Sequence, residues 1–344
     1  MKFRFWLNVL TLLLLAFAVY LARDQIVQAW GLMSGVDLRI FLLLIPIQLI
    51  SYYTEGEVMF SYLKARGDLK LVNGWQTARI ALELNFINHI IPVPSIAGFS
   101  YLGWILKKKG VSMARSAMAQ VIKYALIFIT FVALILISVF ILILDHQVSR
   151  SAVFVSALFV LITIIATSLL IYAISRKTRV KKLAAWTTST SNKIVDKLTF
   201  GRKKQILNIK QVDNFFVEMH EDYLEIKKEK KILHKPIIWA VLANVSDVAL
   251  VWVAFLSLGY VVNPAALFIG FGVASFTAIF AATPGGSGAY EAVMIAFLVS
   301  AGVPPSVAIA GTLLARVTLF AGTIIFGYVF YQLTINKYGE VSEE

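Results

Sequence analysis

Hydrophobic positions along this chain come in long unbroken runs, not in the alternation of strands or the one-sided stripes of soluble helices. "AMAQVIKYALIFITFVALILISVFILIL" (117–144) and the run over 152–174 exceed the ~20 apolar residues that cross a hydrocarbon core. Similar stretches at about 5–22, 40–63, 237–260 and 306–333 read as further crossing helices. Continuous runs without period-2 alternation exclude a transmembrane barrel. The run at 5–22 follows "MKFR" and reads as a retained anchor helix, because "LARDQIVQAW" offers no A-x-A site for removal of a signal peptide.

Two apolar regions are interrupted. "RIALELNFINHIIPVPSIAGFSYLGWILKKKG" (79–110) begins and ends on basic residues. Pro92, Pro94 and Gly98 divide it into pieces of roughly a dozen residues, about 20 Å each, too short to cross. The pattern predicts a re-entrant hairpin that enters and leaves on one side. "NPAALFIGFGVASFTAIFAATPGGSGAYEAVMIAFLVSAGVPP" (263–305) breaks at Pro284-Gly285-Gly286. A re-entrant pair and two full crossings give the same parity there, so both topologies stay open. Each break sets a Pro four residues before a Gly (Pro94/Gly98, Pro284/Gly288). A short apolar helix follows, then Gly-Val (Gly110-Val111, Gly302-Val303), then a long helix with an early basic residue (Lys123, Arg316). Broken pairs facing opposite sides are the signature of inverted-topology repeats, whose half-helices meet near the midplane and form a substrate site. The expected fold is an all-α polytopic membrane protein with about seven transmembrane helices plus two broken, re-entrant helical hairpins in an inverted repeat. It forms one integral membrane domain over 1–344.

Charge sets the orientation. The 344 residues are 59% hydrophobic and 15% charged, with a net charge of +13. Residues 176–236 hold 16 Lys and Arg against 7 Asp and Glu. By the positive-inside rule this segment is a basic cytoplasmic helical insertion between the halves, with both termini on its side of a cell membrane. Topology accounts for the basic charge, so nucleic-acid binding is not needed to explain it. Ile206, Ile209, Val212, Phe216, Met219, Tyr223 and Ile226 recur at helical steps within it. That face either packs on the bundle floor or senses lipid. No cysteine is present, and the four histidines (His89, His146, His220, His234) are scattered, so no metal or cofactor site is expected.

Broken backbone at membrane depth survives only where it is buried or lines a wet cavity. Pro284, Gly285, Gly286, Ser287 and Gly288 therefore mark a candidate substrate site, with amides at the following helix N-terminus suited to an anion. The competing reading is a tightly packed kink. Intramembrane charge adds Glu291, Arg316, Lys123 and Asp247. Arg316, ten residues into an apolar helix, either holds a phosphate or carboxylate of the substrate or pairs structurally with Glu291 or Asp247. Lys123 is either a second phosphate contact or a snorkelling cation. Glu55 and Glu57 read as solvated interfacial carboxylates. Asn85, Asn88 and His89 precede the first break, to cap it or to line the cavity; Asn88 is taken as a site residue.

The block "PGGSGAYEAVMIAFLVSAGVPPSVAIAGTLLARVTLF" resembles the Pro-Gly-Gly-x-Gly-x-x-Glu region of the lysylphosphatidylglycerol synthase transmembrane-region family. "NFINHIIPVPSIAGFSYLGWILKKKGVS" is similar to that family's first-half motif. The family includes the flippase portion of the bacterial multiple peptide resistance factor and stand-alone membrane proteins. The resemblance implies broken helices and movement of a lipid between leaflets, with Pro284, Gly285, Gly286, Gly288, Glu291 and Arg316 carried over by position. One departure is "GFSYLGW", nearly apolar where the family often has polar or basic residues. The chain ends at Glu344, so no aminoacyl transferase domain, and no lysyl-phosphatidylglycerol synthesis, is expected.

The leading reading is a flippase-like transporter without catalytic residues, whose partners are membrane lipids with an anionic phospholipid headgroup or a polyprenyl phosphate. A homo-oligomer is compatible with it. The alternatives are a membrane enzyme or accessory of glycolipid or polyprenyl-linked synthesis, and a small-solute transporter of the same architecture. No paired catalytic carboxylates or Walker-type loop supports an enzyme or an ATP-driven pump.

Overall fold

The computed structural model describes residues 35–69, 72–90, 94–144, 150–198, 208–281, 283 and 286–338, with isolated positions between 13 and 31. The helix expected over 5–22 and the prolines Pro92 and Pro284 lie outside the described residues, as does Gly285. Among the described residues the chain is helical and without strands. A short α1 (Leu38–Phe41) leads into α2 (Leu44–Ala65), followed by α3 (Gly74–Ile90), α4 (Pro94–Lys107) and α5 (Met113–Leu144). Next come α6 (Arg150–Ile174), α7 (Lys177–Leu198) and α8 (Ile209–Lys228), then a 3-10 turn Lys230–Leu233. The second half holds α9 (His234–Ser257), α10 (Pro264–Phe280), α11 (Ala289–Ser300) and α12 (Pro305–Gly322). A π segment, Thr323–Gly327, joins α12 to α13 (Tyr328–Tyr338).

Among the described residues, five stretches are long and apolar enough to cross a membrane: Leu38–Ala65, Met113–Leu144, Ser156–Ile174, Lys230–Ser257 and Pro305–Tyr338. The chain is a multi-pass membrane protein. Between these stretches lie two broken pairs, and the pieces of the first are longer than the dozen residues each expected from its prolines. The pair α3/α4 has 17 and 14 residues, and α10/α11 has 17 and 12. Pro94 opens α4, where its missing N–H costs nothing. Gly98 does not break the chain. It lies inside α4, where its carbonyl accepts from Gln120 Nε2 (3.3 Å) and Asn88 packs against its Cα.

The interior divides into two apolar clusters. One gathers Val58–Leu63 of α2 with Phe86, Leu102, Met118, Ala240 and Tyr331, at the end that carries the basic segments. The other gathers Leu44 with Phe131, Ile135, Val248, Leu267, Met294 and Ala308. Helices α2, α5 and α9 contribute to both, and each places polar residues near the junction: Gln48, Ser51 and Tyr52; Thr130; Asn244 and Asp247. Asn244 Nδ2 donates to Thr130 Oγ1 (2.9 Å) and the Ile127 carbonyl (3.0 Å), tying α9 to α5.

The amphipathic face foreseen in the basic segment buries Met219, with Phe216, Tyr223 and Ile226 half-buried against the first cluster. His220 Nδ1–H donates to the Ile174 carbonyl at the end of α6 (2.6 Å). Asp222, only 3% exposed, accepts from Arg66 (2.9 Å) and lies 3.4 Å from Arg115 Nε; Arg66 also meets Glu225. Burial pushes the Asp222 carboxyl above the ordinary carboxylate range, against the pull of Arg115 and Arg66. The folded protein thus binds this proton more tightly than the unfolded chain. Stability contributed by the protonated form is present at low pH and is lost as pH rises through the folded-state value. The wild type is therefore expected to gain melting temperature relative to Asp222→Asn as pH falls from neutrality toward the ordinary carboxylate range, read by thermal unfolding of the purified pair in detergent. A gap that does not change with pH would refute this account.

Candidate functional site

The central cavity lies where the polar positions of α2, α3, α9, α10 and α12 converge. Its volume is about 210 Å³, and Ser51, Glu55, His89, Asp247, Ser275 and Arg316 are among its lining residues. On α2, Gln48, Ser51, Tyr52 and Glu55 follow one another at helical steps, so a single face of an otherwise apolar helix carries them. Gln48 Nε2 donates to the Leu319 carbonyl (2.7 Å) and to Tyr52 Oη (2.6 Å), and Tyr52 meets Thr323. The π segment begins at that threonine. Gln48 and Tyr52 thus fasten the last long helix to α2 beside the cavity at the point where it changes from α to π.

Two buried ion pairs flank this space. Arg316, 7% exposed, donates from Nε to Glu291 Oε1 (2.9 Å), and its guanidinium stacks over Tyr290 (4.4 Å) and Phe320 (4.9 Å). Glu291 is itself 4% exposed, and its other oxygen accepts the Gly288 amide (2.6 Å). One carboxylate thus caps the N-terminus of α11 and neutralises the arginine. The turn before it requires glycine. Gly286 has φ +72°, and a Cβ there would stand 2.3 Å from the Ala278 side chain of α10, while Gly288 has φ +90°. Thr283 Oγ1 donates to the Ser287 carbonyl (2.7 Å) and closes the loop.

The second pair is Lys123 with Glu55 (2.9 Å). Lys123, on α5, is 2% exposed, so it neither snorkels nor faces the cavity directly; Glu55 is the partner that does. Glu57 is also buried, holding Lys64 (3.2 Å) and Thr77 (2.8 Å). The interfacial, solvated reading of both carboxylates is therefore corrected: α3 and α5 pack against this stretch of α2 and supply Thr77 and Lys123 as partners. Asp247 faces the cavity, accepts from Ser51 Oγ, and has no ion-pair partner among the described residues. His89 Nδ1–H donates to the Asn85 carbonyl (2.8 Å), and its ring stands edge-on to Phe320. Asn88 stands apart from this group, packed against Gly98 with its Oδ1 lacking a hydrogen-bond partner among the described residues.

The structure thus gathers Glu291, Arg316 and Asp247 about one cavity, sets Gly286, Ser287 and Gly288 at its broken helix, and leaves Lys123 behind Glu55 and Asn88 against α4. Sequence reasoning missed Ser51, Tyr52 and Tyr290. The spacing of Gln48, Tyr52 and Glu55 along one helix face was the available signal. Among the described residues no three His, Asp or Glu cluster as a metal site would require.

Several apolar helices long enough to cross a membrane, with a cavity lined by charged residues among them, define the class as integral membrane protein. The family model for the lysylphosphatidylglycerol synthase TM region matches residues 6–327, and the chain belongs to that family. A UPF0104 membrane protein of Methanocaldococcus jannaschii is 25% identical to it over 253 residues, 71% of this chain and 70% of that protein.

Removing one member of a buried pair strands the other charge, at about 3–5 kcal/mol, whereas removing both costs far less. Arg316→Gln is therefore expected to lower the melting temperature steeply, and Glu291→Gln/Arg316→Gln to recover most of the loss. A thermal-unfolding double-mutant cycle in detergent measures the coupling; strictly additive effects would disprove it.

Proposed function

We propose that this chain moves a lipid with a phosphate-bearing headgroup between leaflets, through the cavity beside the α10–α11 break. The observation that carries the reading is the double duty of Glu291. Its carboxylate occupies both the guanidinium of Arg316 and the amide of Gly288, which are the donors an incoming phosphate would use. A headgroup phosphate exchanges with Glu291 on Arg316 and releases the cap of α11. The exchange replaces one anion by another, so the arginine stays neutralised throughout. Asp247 offers an acceptor for a hydroxyl or amine of the same headgroup, while the acyl or prenyl chains stay in lipid.

The lengths of the elements support an inverted repeat. The series 17, 14 and 32 residues in α3, α4 and α5 is matched by 17, 12 and 34 residues in α10, α11 and the stretch Pro305–Tyr338. Rocking of the two halves about the cavity alternates its access. The reading assigns transport without bond chemistry, in a cell membrane with the basic segment cytoplasmic. Anionic phospholipids and polyprenyl phosphates both present the required group.

The test is chemical reduction of fluorescent headgroups in proteoliposomes. Wild type is expected to expose inner-leaflet anionic or polyprenyl-phosphate lipid to the reductant. The charge-balanced Glu291→Gln/Arg316→Gln variant is expected to slow exposure about tenfold or more, the loss of at least ~1.4 kcal/mol of headgroup interaction. Wild-type liposomes that behave like protein-free ones with every such lipid would exclude the proposal.

A further inference from the structure

A second, larger recess lies elsewhere on the same two helices. It measures about 700 Å³, against about 210 Å³ for the central cavity, and lies between the end of α2 and the start of α9. From α2 it takes Glu57, Ser61 and Lys64; from the 3-10 turn and α9 it takes Lys231, His234, Lys235 and Trp239. At about 100° per residue, positions 57, 61 and 64 fall on the face of α2 opposite positions 48, 52 and 55. The recess is therefore on the far side of α2 from the central cavity.

Its charge is unbalanced toward the cationic. Lys64 is answered by Glu57 at 3.2 Å. Lys231 and Lys235 are exposed and have no ion-pair partner among the described residues. The helix that carries Lys235 also says what kind of ligand fits. Lys235, Ile238, Leu242 and Val245 fall within about 80° of one another on α9. Ile238, Leu242 and Val245 are 59%, 42% and 41% exposed, an apolar stripe that starts at the cation and runs away from it. Trp239 forms the wall, edge-on to Tyr53 at 5.6 Å, the kind of amphipathic ring found at headgroup depth. A soluble phosphate would need the lysines alone. The stripe adds a track for hydrocarbon.

We propose that this recess binds the headgroup of an anionic phospholipid on the side of the membrane that carries the basic segments, with Lys231 and Lys235 on the phosphate and the chains along Ile238, Leu242 and Val245. Basic recesses between membrane helices take such headgroups, each lysine adding to the attraction. The site is independent of the central cavity and stands or falls separately from transport.

Trp239 supplies the readout. The full-length protein is placed in zwitterionic bilayers doped with either phosphatidylglycerol or phosphatidylcholine carrying brominated chains. Quenching assigned to Trp239 is the wild-type signal less that of Trp239→Phe. The anionic lipid is expected to quench Trp239 at about tenfold lower mole fraction than the zwitterionic one, and Lys231→Gln/Lys235→Gln is expected to abolish the preference without lowering the melting temperature. Equal quenching by the two lipids, or a preference that survives the double substitution, would overturn the proposal. Relief of quenching by inorganic phosphate at constant ionic strength would assign the recess to a soluble anion and overturn it equally.

Discussion

A charge buried among hydrocarbon-facing helices must be answered at contact distance, and the centre of this molecule is arranged around that requirement. An uncompensated ion in such a place costs several kcal/mol. Arg316 and Lys123 each sit in a long apolar helix, and each is met by a glutamate from another element. Those two contacts dictate which helices must be neighbours: α12 with the start of α11, and α5 with α2. The apolar clusters on either side then fill the remaining space, since Leu44 and Val58 of one helix cannot share a cluster when Gln48, Ser51 and Tyr52 lie between them.

The two pairs nevertheless differ in kind. Lys123 is enclosed at 2% exposure and its partner supplies the cavity wall, so this pair fixes two long helices in register. Arg316 reaches the cavity itself, and its partner belongs to a helix of only 12 residues that begins at a pair of glycines with positive φ. A short element on such a turn moves at lower cost than a 32-residue helix buried along one side. The same chemistry braces two long helices in one place and holds a short helix at its broken start in the other.

What the sequence made legible follows from the same physics. Arg316, Glu291 and Asp247 were conspicuous because charge in an apolar run is anomalous wherever it occurs. Glu291 was also named as a possible partner of Arg316, whereas Glu55 for Lys123 and Ser51 for Asp247 were not, because contact between residues 68 or 196 positions apart depends on how helices are packed. Glu55 and Glu57 were misjudged because carboxylates near the inner end of a crossing look solvent-reachable, whereas Lys123 of α5 and Thr77 of α3 pack over them. Gly98 was misjudged because glycine after two prolines looks like a break; here it is the flat spot against which Asn88 packs. Ser51 and Tyr52 were invisible individually, since each residue type is ordinary in a membrane helix. Only the common face they share with Gln48 and Glu55 distinguishes them.

The break at 281–288 gains its meaning from what caps it. A helix N-terminus within a membrane presents amides that would otherwise be unsatisfied, and a substrate anion is one way to satisfy them. Here the chain satisfies one of them itself, with Glu291 reaching back to Gly288. A serine or threonine cap would meet the amide but carry no charge for Arg316; an aspartate at the same position is one methylene shorter and would have to give up one of the two contacts. Glutamate at the third position of the helix is the residue that spans both, so a single carboxylate closes the break and neutralises the arginine. Because the two contacts share one side chain, the order of the turn and the burial of Arg316 depend on each other, and neither can be lost without exposing the other to hydrocarbon.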